Sequence, residues 1–448
     1  MLPSSRPRTP GSAWLPILIA VAILPAVFVP VPAVTDFFYL PKVLVLLASE
    51  IVLVLELVRR GGKSVAANPL AMPLLVYWAV LVASTWRSVD PWRSLIGEPM
   101  RWEGLLTLLL YGGSVLMLPA AASNGVTQEI SVATRIDQLL RWGAVVATAI
   151  VAYGLVQRYG LDPAPRDALR THQSWWHTAA FATLGNSNFF GTFAAVYLAL
   201  AASRHLAGGR GWLAGAAVTY YGMLTSLSRG SWLAGAGAVL LLLAVMVARS
   251  SRQQLPQLGR RVVTLALTLT LLTVLWMLAD PMASGRMSAF VQDTANQTGT
   301  VGQRLWIWRG TINAIRESPW LGYGLDTLGT VFPRFEPPGR AAVGLANAVV
   351  DRAHNDFLQV AVSSGLVGLA AYLWLLTAAA RSAWGVIAGS AATDLERELA
   401  WALSGGAMAH LLAMLTNLST VSESPTFWGL LGAIAALAMT VRARTPVT

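Results

Sequence analysis

The sequence predicts an all-α, polytopic membrane protein, and three observations carry that expectation. Hydrophobic residues fill 55% of the 448 positions and charged ones only 12%, roughly half the charged share of a soluble domain. Apolar runs of the ~20 residues that cross a bilayer as a helix recur along the whole chain, and mean hydropathy is +0.57. One long polar insert, at about 280–354, interrupts them and holds arginines, tryptophans, prolines, carboxylates and one histidine.

Taken in order, twelve such runs fall at about 13–34, 39–58, 69–86, 104–122, 139–158, 188–205, 211–227, 230–248, 262–280, 356–383, 399–417 and 425–441. The first follows Arg6 and Arg8 in the manner of a signal peptide. It is long, broken by prolines and without a small-residue cleavage site, so it reads as a retained first span. Spans seven and eight are separated only by Ser228-Arg229-Gly230 and form a tight hairpin with Arg229 at its tip. The layout divides the chain into nine spans over 1–280, a large outer-face loop over 281–354 that carries the polar chemistry, and three spans over 355–448.

The net charge of +11 comes from 32 basic and 21 acidic residues, and every basic residue except Lys42 and Lys63 is arginine. Arginine presents a planar fork of donors suited to phosphate; genomic base composition and cytoplasmic anchoring would give the same excess. Basic residues in short loops favour a cytoplasmic N-terminus, and twelve spans then place the C-terminus there too. The bias is slight, because arginines also cluster on the outer side at 87–101, 158–170 and 286–352. Without cysteine there is no disulfide, thiolate metal site or cysteine nucleophile. No P-loop or glycine-rich dinucleotide fingerprint is present, and nothing points to nucleic acid.

Three outer loops are long enough to matter. The first, 86–103, holds Trp86, Trp92 and Trp102, which suit an interfacial belt, beside Arg93 and Arg101. The second, 159–187, holds His172, Trp175, Trp176 and His177, and Asn186 and Asn188 at its end suit a helix cap. In the third, Gln303 to Glu317 reads as a helix. Leu305, Trp308, Ile312 and Ile315 recur at three- and four-residue spacing and make one apolar stripe, expected to lie down on the membrane interface. Ser318-Pro319 stops it, proline-rich 333–340 predicts a mobile loop, and Asn355 or Asp356 caps span ten.

Phosphate chemistry in these loops would fall to arginine. They hold no Asp-x-Asp or Asp-Asp pair of the kind that collects Mg²⁺, whereas arginine binds phosphate by bidentate, charge-assisted hydrogen bonds. Arg229 and Arg304 are the candidates, and each also fits an arginine snorkelling at a span end or interface. His354, the single histidine of the insert, titrates near neutral pH and suits a base that deprotonates a sugar hydroxyl; a histidine hydrogen-bonded at a helix start is the other reading. Glu50 and His410 lie within spans, where a polar group is either functional or bonded to a neighbouring helix.

Four segments together resemble the O-antigen ligase/polymerase superfamily of membrane glycosyltransferases, closest to the ligases. They are Gly185-Asn186-Ser187-Asn188-Phe189-Phe190; Thr225-Ser226-Leu227-Ser228-Arg229-Gly230-Ser231-Trp232; Arg304-Leu305-Trp306-Ile307-Trp308-Arg309 running on to Glu317-Ser318-Pro319-Trp320-Leu321-Gly322-Tyr323-Gly324; and His354-Asn355-Asp356-Phe357-Leu358-Gln359 with Ser364-Gly365-Leu366-Val367-Gly368. They cover about 185–370, and Asn186-Ser187-Asn188 departs mildly from the usual Asn-Pro-Asn-like element.

The resemblance implies a GT-C-like, inverting, metal-independent transferase without a cofactor, multi-pass in a bacterial inner membrane and active at its periplasmic face. The donor would be a glycan on undecaprenyl diphosphate and the acceptor a sugar hydroxyl of lipid A–core. By motif position Arg229, Arg304 and Arg101 would hold the diphosphate and His354 would activate the acceptor, with Asn355, Asp356, Asn186, Asn188 and Trp308 in support. A polymerase or a protein O-oligosaccharyltransferase of the same superfamily is the near alternative. A transporter or lipid-glycan flippase is the distant one, and it expects paired charges at mid-membrane depth.

Overall fold

The computed structural model of the chain describes residues 23–27, 36, 38–59, 63–99, 101–123, 131–162, 179–346 and 348–444. Of the expected first span only 23–27 is described, with a short 3-10 turn at Leu24–Ala26. His172, Trp175, Trp176 and His177 lie outside the described residues.

Among the described residues the regular structure is helical throughout. The helices are α1 (Leu40–Arg59), α2 (Lys63–Ala66), α3 (Ala71–Trp86), α4 (Pro91–Ile96), α5 (Leu105–Ser123), α6 (Val132–Arg158), α7 (Ser187–Ala207), α8 (Trp212–Thr225), α9 (Arg229–Arg249) and α10 (Leu255–Ala279). Within and after the insert come α11 (Ala283–Asn296), α12 (Gly299–Glu317), α13 (Leu328–Phe335), α14 (Asp356–Ala388), α15 (Asp394–Ala413) and α16 (Ser424–Arg442). Each of the eleven later expected spans falls on one of them. Six are long and apolar enough to cross a membrane, namely α6, α7, α9, α10, α14 and α16, while α3 and α5 are shorter apolar helices. The acidic first turn of α15 and the 14 residues of α8 keep those two outside that group.

The bundle is built around α7 and α16, whose apolar windows are 94% and 89% buried, against 11% for α10 at the rim. Helix α7 packs on α8, α9 and α15, and α16 packs on α5, α14 and α15. Small residues permit this closeness, as expected where apolar lipid gives helices little reason to associate beyond packing. A Cβ at Gly191 of α7 would meet the Ser226 and Ser231 hydroxyls at 2.6 Å, so the α8–α9 hairpin seats directly on α7.

Helix α14 is broken near its start, where Gly365 takes φ 71° and ψ −178°. Backbone groups freed inside a membrane protein need new partners, and the insert supplies them. Leu366 N donates to Pro319 O at 2.7 Å, Tyr323 N to Val362 O at 3.0 Å and Gly324 N to Ser363 O at 2.9 Å. A Cβ at Gly365 would sit 2.0 Å from Trp320 O. The Ser-Pro-Trp-Leu-Gly-Tyr-Gly and Ser-Gly-Leu-Val-Gly segments are thus two halves of one joint.

The insert carries its own core, in which Trp306, Ile307, Leu328 and Phe332 pack with Ala361 and Val362 of α14. Two expectations are corrected here. The buried face of α12 is Trp306, Ile307, Gly310, Thr311, Ala314 and Ile315, whereas Ile312 of the expected stripe is 38% exposed, because the helix packs between α13 and α14. Residues 333–335 belong to α13 with Pro333 in its last turn. The stretch that follows is pinned, with Trp306 Nε1 donating to Pro338 O at 3.0 Å and Arg340 bonded to Glu336 and to the Leu345 carbonyl.

Candidate functional site

The α8–α9 hairpin aims Arg229 into the insert. Its turn needs a left-handed residue, Leu227 at φ 56°, and Arg229 follows as the first residue of α9, 7% exposed. Its guanidinium donates to Asp293 Oδ2 at 2.8 Å, Ala289 O at 3.2 Å and Thr300 Oγ1 at 2.7 Å, so α11 and the start of α12 close over it. That hydrogen bond holds the Asp293 carboxyl below the usual carboxylate range. Asn186 caps α7 by accepting from Asn188 N at 2.8 Å, and Asn188 Oδ1 accepts from Ser228 Oγ at 2.9 Å. The asparagine segment therefore braces the turn that carries Arg229.

Arg229 and Arg304 line one cavity of about 330 Å³, together with Asn188, Thr300 and a third arginine, Arg286. Arg286 belongs to the outer arginines of 286–352, and no motif in the sequence marks it. Its signal was faint: a lone arginine among small residues just past span nine. In the structure its Nε donates to Leu227 O at 3.0 Å, which fixes its stem beside the hairpin. Burial first, then the Arg229 charge, lower its pKa, with Asp293 opposing. Arg304 is half-buried and has no hydrogen-bond or carboxylate partner among the described residues. Burial, then Arg229 and Arg286, pull it down to about 10, and it stays charged at neutral pH.

His354 stands on the other side of Arg304. The peptide on either side of it is fastened: Trp308 Nε1 donates to Ala353 O at 2.9 Å, and Ala353 N to Gln359 Oε1 at 3.0 Å. Asn355 caps α14 by accepting from Leu358 N at 3.0 Å, and its Nδ2 donates to Leu415 O at 3.0 Å. Asp356, buried, accepts from Ser419 Oγ at 3.1 Å while its N donates to Met414 O at 2.8 Å. Between these ties His354 takes φ 49°, a left-handed conformation that costs a side-chain-bearing residue energy and persists only where its surroundings impose it. Its imidazole has no hydrogen-bond partner among the described residues. Burial, and then the Arg304 charge, pull the ring down to about 4, so at neutral pH it is uncharged and has a lone pair to accept a proton.

Arg101 is placed differently. It donates to the Asp351 carboxylate, lies 3.6 Å from Asp326, and does not line the arginine cavity. Buried Arg352 holds the same Asp326 at 3.1 Å. Trp102 bonds Asp36 through Nε1 at 2.7 Å, while Trp86 and Trp92 are exposed. Within the bundle Glu50 accepts from Ser114 at 3.0 Å. His410 stacks on Phe427 with ring centroids 4.3 Å apart and leaves Nδ1 without a partner, so packing takes the place of the expected interhelical hydrogen bond. Among the described residues no three His, Asp or Glu side chains are grouped to hold a metal ion.

The arrangement sets guanidinium groups suited to an anion beside an uncharged imidazole able to accept a proton. Among curated proteins none matches the chain. Residues 214–373 match the family described as O-antigen ligase, a stretch that contains Arg229, Arg286, Arg304, His354 and the Gly365 joint. Over this stretch, 160 of the 448 residues, the chain is similar to the O-antigen ligase family, a glycosyltransferase-like enzyme family.

Proposed function

We propose that the protein transfers a glycan from undecaprenyl diphosphate to a sugar hydroxyl of lipid A–core, at the outer face of a bacterial inner membrane. The observation that carries this reading is the convergence of Arg229, Arg286 and Arg304 on one cavity, with Arg304 unpaired and adjacent to His354. Three guanidiniums can meet the oxygens of a diphosphate by bidentate contacts, and their charge best suits the state in which the carbon–oxygen bond breaks and the diphosphate takes the electron pair.

In the transfer, His354 accepts the proton of the acceptor hydroxyl as the oxygen attacks the anomeric carbon from the face opposite the leaving diphosphate, which inverts the centre. The imidazolium then returns its proton to water. Diphosphate bound at Arg304 counters the charge that depresses His354 in the empty site, so donor binding makes the base stronger. Arg101, paired with Asp351 and near Asp326, acts on the position of the His354 segment and not on the donor.

The test is reconstitution of the full chain with a labelled undecaprenyl-diphosphate glycan and lipid A–core, followed by mass analysis. A one-to-one glycan–core product, formed with chelator present, is expected. Lengthened lipid-linked glycan or a glycosylated protein would replace the acceptor, and uptake into vesicles without covalent transfer would overturn the transferase reading.

A further inference from the structure

The end of the bundle opposite the arginine site holds a second, separately built cavity. Helices α9 and α14 both pack on α15. Beside them lies an apolar crevice of about 240 Å³ with Val245, Leu376, Trp384 and Leu411 in its walls and Ala383 and Ala407 among its small residues. Ile387 and Trp401 line this crevice and also a polar cavity of about 510 Å³, where Arg249, Arg261 and Arg397 meet Asp394 and Glu398. The slot is thus amphipathic along its length, apolar within the bundle and cationic at its mouth.

The charges at the mouth do not cancel. Asp394 is paired with Arg397 at 3.1 Å, and Glu398 faces Arg204 at 3.4 Å. Arg249, whose guanidinium lies 5.1 Å from the Trp384 ring centroid, and Arg261, which donates to Leu206 O at 3.0 Å, make no ion pair within 4 Å among the described residues, and Glu398, already facing Arg204, is the carboxylate whose field Arg261 feels. Arg252 on the α9–α10 connection and Arg260 near the start of α10, both exposed, add to the field.

We propose that this slot binds an anionic phospholipid, its phosphodiester between Arg249 and Arg261 and one acyl chain in the crevice. A guanidinium matches phosphate geometry, clustered basic side chains at a membrane surface favour anionic lipids, and Trp384 and Trp401 stand where the apolar crevice meets the cationic mouth, an arrangement typical of indoles bordering headgroups. The lipid would bridge α9 and α14, the helices whose opposite ends carry Arg229 and the His354 segment. Bound there, it holds the two halves of the site in register from the far side of the membrane. The proposal stands whether or not the glycan transfer is as described.

Native mass spectrometry of the full chain released from detergent, with phosphatidylglycerol or phosphatidylcholine added, tests it. Phosphatidylglycerol is expected to be retained over phosphatidylcholine, and Arg249→Gln/Arg261→Gln to weaken it by about fivefold per arginine. Ala383→Phe, which fills the crevice and leaves the arginines in place, is expected to weaken it as well, with a thermal melt confirming that each variant is folded. Equal retention of the two lipids, undiminished binding by the arginine variant, or equal competition by free glycerol phosphate or by undecaprenyl phosphate would overturn the proposal.

Discussion

Two groups of arginines flank His354, and they live in opposite surroundings. On one side Arg101 and Arg352 share Asp326, and Arg101 also holds Asp351. Burial alone would lower Arg352, but Asp326, Glu103 and Asp351 outweigh it and raise it. On the other side Arg229, Arg286 and Arg304 crowd one another with Asp293 as the nearest carboxylate, and Arg304 falls to about 10. A buried charge with its partners in place is a structural part, and removing one member leaves the other stranded. A half-buried charge whose neighbours repel it is held by the fold at a cost, and an arriving anion relieves that cost.

Mutations should separate the two groups. The largest effect on rate is expected from His354→Ala, a loss of roughly 10²–10⁴-fold in transfer for a missing general base, with unchanged accumulation in the membrane; near-normal transfer by the purified variant would remove His354 from the chemistry. Arg352→Ala should destabilise the protein by roughly 3–5 kcal/mol, the usual consequence of stranding a buried partner, here Asp326, read as a lowered melting temperature. Arg304→Ala should do the reverse, cutting transfer by roughly 10²–10³-fold and leaving the melting temperature in place. If Arg304→Ala melts early and Arg352→Ala does not, the contrast between the groups is wrong.

Smaller effects sharpen the picture. Arg286→Gln should cost about tenfold in kcat/KM, one charge-assisted hydrogen bond of roughly 1.5 kcal/mol, while Gln keeps a donor near Leu227 O. With His354 as the proposed base, activity is expected to fall as pH drops through its pKa. The empty site holds that pKa at about 4, and a bound diphosphate is expected to raise it. The acid limb of kcat should therefore lie at higher pH than that of kcat/KM. Coincident limbs would show that donor binding does not reach the imidazole.

Much of this was legible in one dimension because its causes are local. Apolar runs of span length coincide with helices of the described bundle, Asn186 stands out as a cap by residue type, and of the two candidates Asn355 and Asp356 the structure makes Asn355 the cap. Arg229 showed at a turn too short to hide it. What escaped was set by packing. The face that α12 buries could not be read from its own stripe, because α13 and α14 approach it from two sides. Pro333 looked like a breaker and sits in a last helical turn. Arg101 matches its motif position less closely than Arg229 and Arg304, and its pairing with Asp326 and Asp351, more than 220 residues later in the chain, shows only in the structure.

Composition and periodicity by themselves determined a helical membrane bundle, a polar insert and the residue types at work there, since hydropathy and capping depend on near neighbours. Only the tertiary structure decided which arginines are left unpaired. That depends on carboxylates brought from distant segments: it leaves Arg304 without one beside Arg229, which Asp293 holds, and closes Arg101 and Arg352 into a salt-bridge network. The structure also turned the 280–354 insert into a part of the bundle, through the joint at Gly365 that holds it against α14.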